Sequence, residues 1–193
     1  MNGLVSIANT SSRTVTADVT GGAVISNGIT FGGSNYIIYG NNNVSQVALG
    51  TRAFSISTTI RFSSSVSLSQ YVLATCADSG RHGLLLFCTG NNLYILMYNS
   101  SGSSLTYATG VSTNTDYTIT IERTLSSYTV LSNGNATTRS GLAADYFNGA
   151  VDCGSKAIRL GGMSSGNSSE SGANQLTVNS FIGYIKHFSL RFP

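Results

Sequence analysis

Charge is the scarcest feature of this sequence. Asp, Glu, Lys and Arg together make up 9% of the 193 residues, against roughly 25% in an average soluble domain. The ten basic residues are dispersed and the net charge is +3, so no run of Lys and Arg provides the positive surface that nucleic-acid binding requires. We therefore expect no nucleic-acid partner.

Long apolar segments are also missing. The longest uninterrupted one, Leu84 to Cys88, is far shorter than the roughly 20 residues that cross a bilayer as a helix. Residues 1–7 combine neither the basic start nor the continuous apolar stretch of a signal peptide. We expect no membrane insertion, and a protein that either is made without a leader or has had one removed.

Tryptophan is absent, and the single proline is the terminal Pro193, so no proline interrupts a strand. The three cysteines, Cys76, Cys88 and Cys153, form an odd set without metal-ligand spacing. Because unpaired cysteines are commonly buried, we predict buried free thiols. A disulfide between two of the three is the alternative.

Hydrophobic residues make up 41% of the chain and include ten Tyr and eight Phe, which is enough to build a core. Apolar and polar residues alternate most clearly at Ala53–Phe62 and Asp116–Arg123, and this period of two predicts half-buried strands. Further strands are predicted at Gly28–Tyr39, Tyr71–Thr75, Gly83–Thr89, Leu93–Asn99, Leu105–Thr109, Tyr128–Ser132, Ala157–Leu160 and Phe181–Phe192.

Clusters of Asn and Gly separate these strands, for example at Gly90–Asn92 and Asn133–Asn135. Many short strands divided by such turns indicate a sandwich or a barrel. The only short helical candidate is Leu142–Phe147, and Ser164–Asn174 is predicted to be a long exposed loop. Because such folds often reach this length undivided, we expect residues 1–193 to form a single domain.

The segments, taken in order, resemble the laminin G-like and pentraxin-like branch of the concanavalin A-like lectin/glucanase superfamily. The stretches that carry the resemblance are Gly28–Ile37, Ala53–Phe62, Asn114–Arg123, Tyr128–Gly134, Ile158–Gly162 and Phe181–Leu190. Gly32 stands where the family usually has Asp, and Thr59 stands at or next to the usual Trp. The resemblance implies an all-β fold, a two-sheet antiparallel jelly-roll sandwich, but it says little about function because this fold carries many functions.

The glucanases of this superfamily carry a Glu-x-Asp-x-x-Glu motif on one strand, and retaining hydrolysis needs two carboxyl groups about 5 Å apart. This chain lacks that motif, and its two glutamates are Glu122 and Glu170. His82 and His187 occur without the nucleophile pattern of a serine hydrolase. We predict that the protein is not an enzyme.

Sugar binding combines hydrogen-bonding side chains with aromatic ring faces. The loop 76–83 and the tyrosines that follow it provide both kinds of group. We predict a ligand-binding set of Asp78, Arg81, His82, Tyr98 and Tyr107, with Tyr94 as a further ring. The alternative for each tyrosine is a ring in the core or at a sheet edge with its hydroxyl in water.

The resemblance to this superfamily raises the question of bound calcium, because calcium is a frequent cofactor of the family. Such a site needs several oxygen ligands converging on one loop, whereas the five aspartates are scattered along the chain. Asp78 is the best single candidate, since its loop resembles one that bears calcium in some relatives. An ordinary turn role for Asp78 is favoured, so we predict no cofactor, with calcium as the alternative.

The function expected from these features is that of a non-catalytic structural or adhesion domain of a virus, namely a bacteriophage tail, fibre or head-decoration protein on the virion surface. Its partners would be a cell-surface glycan or other virion proteins. The Lys-poor surface, rich in Ser, Thr, Asn and Gly, supports this by analogy with phage surface proteins. The alternative is a secreted, extracellular carbohydrate-binding or cell-adhesion module. Multivalent display strengthens weak binding, so we expect a homo-oligomer.

Overall fold

The computed structural model describes residues 14–17, 22–25, 28–33, 36–39, 53–63, 65–74, 83–98, 104–124, 127–133, 135–140, 158–164, 177–178 and 181–191. Some of these strand residues, Tyr98 among them, are described by their backbone alone. Regular structure within these ranges is entirely β. A helix that could cross a membrane does not occur in this part of the chain.

Seven strands of the described residues form the front sheet. In spatial order they are β1 (Thr14–Ala17), β4 (Tyr36–Tyr39), β13 (Ile158–Leu160), β6 (Gln70–Ala74), β7 (Gly83–Thr89), β8 (Asn92–Tyr98) and β9 (Ser104–Gly110). Neighbouring strands are antiparallel except for β1 and β4, which run parallel.

The back sheet also has seven strands within the described ranges, and all of them pair antiparallel. The order is β12 (Asn135–Ser140), β11 (Ser127–Ser132), β10 (Asp116–Arg123), β5 (Phe54–Phe62), β16 (Ile182–Arg191) and β2 (Gly22–Ile25), and β3 (Ile29–Gly32) also pairs with β16. A small separate ribbon joins β14 (Met163–Ser164) to β15 (Thr177–Val178).

The core lies between the two sheets because successive side chains of a β-strand point to opposite faces. In β5, for example, every second residue from Phe54 to Phe62 is buried. The front sheet contributes Leu84, Leu86, Cys88, Leu93 and Ile95 to the same cluster of buried side chains. The fold is therefore an all-β sandwich of two packed sheets, as the sequence predicts.

Most predicted strands are confirmed to within a residue or two at their ends. Asp116–Arg123 and Gly83–Thr89 coincide with β10 and β7. The single strand predicted over Gly28–Tyr39 is wrong, because β3 belongs to the back sheet and β4 to the front sheet. Gly33 follows β3 with a φ of +87°, a left-handed conformation that glycine adopts without steric cost.

The free-thiol prediction is confirmed for Cys88, which is buried and forms no disulfide; its Sγ donates a weak hydrogen bond to the Leu68 carbonyl oxygen at 3.7 Å. Burial raises the pKa of this thiol to about 11. Cys76 and Cys153 lie outside the described ranges, as do the helical candidate at 142–147 and the predicted loop beyond Ser164. Ser164 itself belongs to β14.

Candidate functional site

The residues predicted to bind a ligand are only partly covered by the structure. Asp78, Arg81 and His82 lie outside the described ranges. Tyr98 ends β8, where its backbone lies opposite Gly83 and Ser104. Tyr107 is half-buried and packs against the core. For each of these tyrosines, the sequence allows a ring in the core as the alternative to a ligand-binding ring. The ligand-binding role of these five residues stays a prediction.

A row of three aromatic side chains crosses the outer face of the front sheet. Tyr71 on β6 lies opposite Phe87 on β7, and Phe87 lies opposite Tyr94 on β8. The ring centroids are 5.0 Å apart in the first pair and 5.3 Å apart in the second. All three side chains are half-buried. We call these three residues the aromatic row.

The rings of the aromatic row overlap face to face. Their planes differ by only 19° and 20°, and parallel rings this close are stacked with an offset rather than laid side by side. Phe87 thus has a ring against each of its faces. Tyr94 has Phe87 on one face, and its other face is turned toward β9.

Beyond Tyr94 the row stops at two very small residues. Ala108 on β9 lies opposite Tyr94, and Gly110 lies opposite Asn92. Ala108 and Gly110 are exposed, and a Cβ added at Gly110 would meet no atom within 4 Å. Since β9 is the last strand on this side of the front sheet among the described residues, the face of Tyr94 borders an open step. We call Tyr94, Asn92, Ala108 and Gly110 the Tyr94 notch.

The turn that leads into Asn92 of the Tyr94 notch is encoded locally. Gly90 and Asn91 have φ values of +55° and +64°, as the two central residues of a type I′ hairpin require. Glycine and asparagine adopt this conformation at the least cost. The Asn92 Nδ2 group donates to the Gly90 carbonyl oxygen at 3.1 Å, which holds the Asn92 amide on the hairpin.

An open depression of about 540 Å³ adjoins the hairpin at this end of the sandwich. It is lined by Ser65, Val66, Asn91, Val111, Ser112 and Thr113. Backbone hydrogen bonds brace its wall: the Asn91 N–H donates to the Val66 oxygen at 3.1 Å, and the Val111 N–H donates to the Asn91 oxygen at 2.9 Å. We call it the hydroxyl-lined depression.

The outer face of the back sheet carries an ion network instead. Asp116 Oδ1 accepts a hydrogen bond from Arg61 Nε at 2.6 Å, and Asp116 Oδ2 contacts Lys186 Nζ. The hydrogen bond from Arg61, then that from Lys186, lowers the pKa of Asp116 to about 2. The network ties β5, β10 and β16 together. No group of three or more His, Cys, Asp or Glu suited to a metal occurs among the described residues.

Sequence reasoning named Tyr94 as a candidate ring but missed its surroundings. Tyr71 and Phe87 could have been suspected, since each occupies an outward position in a predicted strand. Ala108 and Gly110 carry no chemical signal of their own. Their importance depends on the register between β8 and β9, which periodicity does not reveal.

Comparison with known proteins gives no match to a protein-family model and no match among curated proteins. Solved structures do match. The CBM40 of the Ruminococcus gnavus IT-sialidase, bound to α2,3-sialyllactose, is 14% identical, with 89% of each chain covered and a TM-score of 0.57. This is a carbohydrate-binding β-sandwich.

Two further structures share this β-sandwich. The binding domain of botulinum neurotoxin DC, in complex with SialylT, is 15% identical with a TM-score of 0.56 over 88% of this chain and 42% of that one. A leech intramolecular trans-sialidase, complexed with 2,7-anhydro-Neu5Ac, is 13% identical with a TM-score of 0.61 over 90% of this chain and 26% of that one. The chain thus spans less than half of either protein.

Proposed function

We propose that the protein is a non-catalytic glycan-binding domain that packs a sugar ring on the outward face of Tyr94. The observation that carries this proposal is the open step in front of that ring, floored by Ala108 and Gly110. Ligand sites pair apolar and aromatic surfaces with a few polar groups that fix orientation. A sugar presents CH groups to the ring of Tyr94 and hydroxyls to the amide of Asn92.

The aromatic row supports this role because it holds the Tyr94 ring in place. Phe87 stacks on the inner face of Tyr94 at a centroid distance of 5.3 Å, and Tyr71 in turn supports Phe87. A side chain already held in its binding orientation loses little rotamer freedom when a ligand arrives. The notch is therefore preorganised for a flat ligand surface.

The structural neighbours support the class of ligand. The CBM40 structure holds sialyllactose. Another neighbour is a structure of botulinum neurotoxin type C, whose cell entry depends on interaction with two ganglioside molecules. These proteins share the fold with this chain at 13–14% identity. Their likeness therefore favours a glycan without specifying the sugar. Membership of the concanavalin A-like superfamily in particular stays a prediction.

A glycan-array screen with three versions of the Tyr94 notch tests the proposal. Tyr94→Ala removes the ring and is expected to lose binding. Tyr94→Phe keeps the ring face and is the matched control that retains it. Ala108→Phe extends the row onto β9 and covers the outward face of Tyr94, so it is expected to block binding while the thermal unfolding midpoint stays close to that of the wild type.

Two further variants separate the notch from the loop that the sequence predicts. Asp78→Ala and Tyr98→Ala are screened on the same array, with calcium and with a chelator. If these variants lost binding while Tyr94→Ala bound fully, the glycan-binding site would lie at the loop 76–83 and not at the Tyr94 notch. Loss of binding in the presence of the chelator would indicate that the site also requires calcium. The absence of binding to any glycan would contradict the proposal and favour a purely structural domain.

The biological setting is a separate part of the proposal. A bacteriophage surface protein remains our first expectation, with an extracellular module as the alternative. Capsid or tail genes on either side of the coding sequence would favour the viral setting, and glycosidase genes would contradict it. Light scattering of the purified protein would show whether it forms the expected homo-oligomer.

A further inference from the structure

The Tyr94 notch and the hydroxyl-lined depression lie one after the other along the same pair of strands. From Tyr94 the chain runs back through Asn92 to Asn91, which lines the depression. The strand from Tyr94 to Asn92 covers about 7 Å, and Asn91 lies one residue beyond it in the turn. On β9 the floor of the notch continues from Gly110 into Val111, whose N–H donates to the Asn91 oxygen at 2.9 Å. The two features are therefore joined by a continuous hydrogen-bonded backbone.

The lining of the depression suits the edge of a second sugar. Ser112, Thr113 and Asn91 are exposed and offer hydroxyl and amide groups that both donate and accept hydrogen bonds. Val66 and Val111, which are 5% and 6% exposed, provide an apolar base. The volume of about 540 Å³ lies within the range of roughly 300–1,000 Å³ typical of small-molecule sites.

A buried polar side chain stabilises one wall of the depression. Gln70 is 4% exposed, and its Nε2 donates to the Ser65 carbonyl oxygen at 2.8 Å. Its Oε1 accepts from the Ile182 N–H at 2.9 Å, which ties this wall to β16 of the back sheet. The hydroxyl of Ser65 is in turn 2.6 Å from that of Ser67. The wall is thus set before any ligand binds.

We infer that the hydroxyl-lined depression is a second subsite and that the protein binds a linked oligosaccharide in preference to a single sugar. This rests on the proposed function. A six-membered ring with bonds of roughly 1.5 Å is about 5–6 Å wide with its hydroxyls, so one ring on Tyr94 does not reach the depression. A second or third linked ring does, and it gains the hydrogen bonds of Ser112, Thr113 and Asn91.

The test compares sugar series of increasing length on one array, followed by calorimetric titration. The probes are glucose to cellotetraose, N-acetylglucosamine to chitotetraose, and galactose with lactose and 3′-sialyllactose. Because the longer sugar adds hydrogen bonds in the depression, we expect its wild-type affinity in the preferred series to be at least roughly tenfold above that of the single sugar, which corresponds to about 1.4 kcal/mol.

Ser112→Trp fills the depression and is expected to reduce the affinity for the longer sugar to that for the single sugar, whose binding on Tyr94 is unchanged. Thr118→Trp, an exposed position on the outer face of the back sheet, is the matched control and keeps the length dependence. Asn91→Gly removes the amide but retains the positive φ, and it carries the test if Ser112→Trp does not fold.

Each outcome decides between the two proposals. Equal affinity for single and linked sugars in the wild type, or length dependence that survives both Ser112→Trp and Asn91→Gly, overturns the second subsite and leaves glycan binding at Tyr94 intact. A wild-type protein that binds no member of any series overturns the proposed function and the subsite with it.

Discussion

Asp116 couples three strands of the back sheet through Arg61 and Lys186. The pKa of Asp116 is about 2 in the folded protein, below the ordinary value of 3.8. The stabilising contribution of Asp116 is therefore complete at pH values above 3.8, and it is lost as the pH falls through about 2. We expect the unfolding midpoint of the wild type to fall between pH 4 and pH 2 more steeply than that of Asp116→Asn. Thermal denaturation over this range measures both, and parallel profiles would contradict the role of Asp116.

Two glycines differ sharply in the space around them. A Cβ at Gly183 would lie 2.2 Å from the Arg61 carbonyl oxygen and 2.5 Å from the Phe181 ring, whereas one at Gly110 would meet nothing within 4 Å. Gly183→Ala is expected to lower the free energy of unfolding by about 1–3 kcal/mol, the usual cost of overpacking. Gly110→Ala serves as the control and changes stability by at most about 0.5 kcal/mol. Urea denaturation compares them, and equal stabilities would refute the close contact.

The aromatic row acts across three strands, so its contribution belongs to the element scale. Stacked pairs contribute about 0.5–1.5 kcal/mol beyond the area they bury. A double-mutant cycle of Phe87→Ala with Tyr94→Ala is expected to show a coupling energy of this size in urea denaturation.

Tyr71 and Tyr94 provide the control for that cycle. They lie on strands separated by β7, with Phe87 between their rings. Contact coupling requires neighbours, so the cycle of Tyr71→Ala with Tyr94→Ala is expected to give much less coupling than the Phe87 cycle. Equal coupling in both cycles would show that the row acts through the sheet as a whole instead of through ring contacts.

At the scale of the whole molecule, Phe181 joins strands that are remote in sequence. Its ring centroid is 5.6 Å from that of Phe31 and 5.4 Å from that of Phe62, and the side chain is fully buried. Phe181→Ala is expected to lower the free energy of unfolding by about 3–5 kcal/mol. Leu68→Ala, at a side chain that is 68% exposed, is the control and changes it by at most about 0.5 kcal/mol.

Urea denaturation measures the free energies of unfolding of Phe181→Ala and Leu68→Ala. Applied to the wild type, it also tests the prediction of a single domain over residues 1–193. One cooperative core gives coincident transitions in circular dichroism and tyrosine fluorescence. Two separated transitions in the wild type would instead show that part of the chain unfolds independently. If the free energy of unfolding fell no further in Phe181→Ala than in Leu68→Ala, the central position of Phe181 in the core would be contradicted.

Strands with a strong period of two were the easiest elements to predict. The alternation in β5 and β10 places Phe54, Ile56 and Ile119 inward from sequence alone. The division of 28–39 between two sheets was missed, because periodicity reports a local conformation and not the partner strand. Gln70 was also beyond sequence reasoning, since its burial depends on bonds to Ser65 and to Ile182, which is 112 positions away.

In strands with a regular period of two, such as β5 and β10, the sequence by itself determined which side chains face inward and which face outward, because strand geometry alternates them residue by residue. It also determined a surface poor in charge. Only the tertiary structure decided which outward residues become neighbours. Tyr94 borders an open step because β9 brings Ala108 opposite it, and Asp116 meets Lys186 across 70 positions of sequence. Such contacts follow from strand register, which the pairing of whole strands sets.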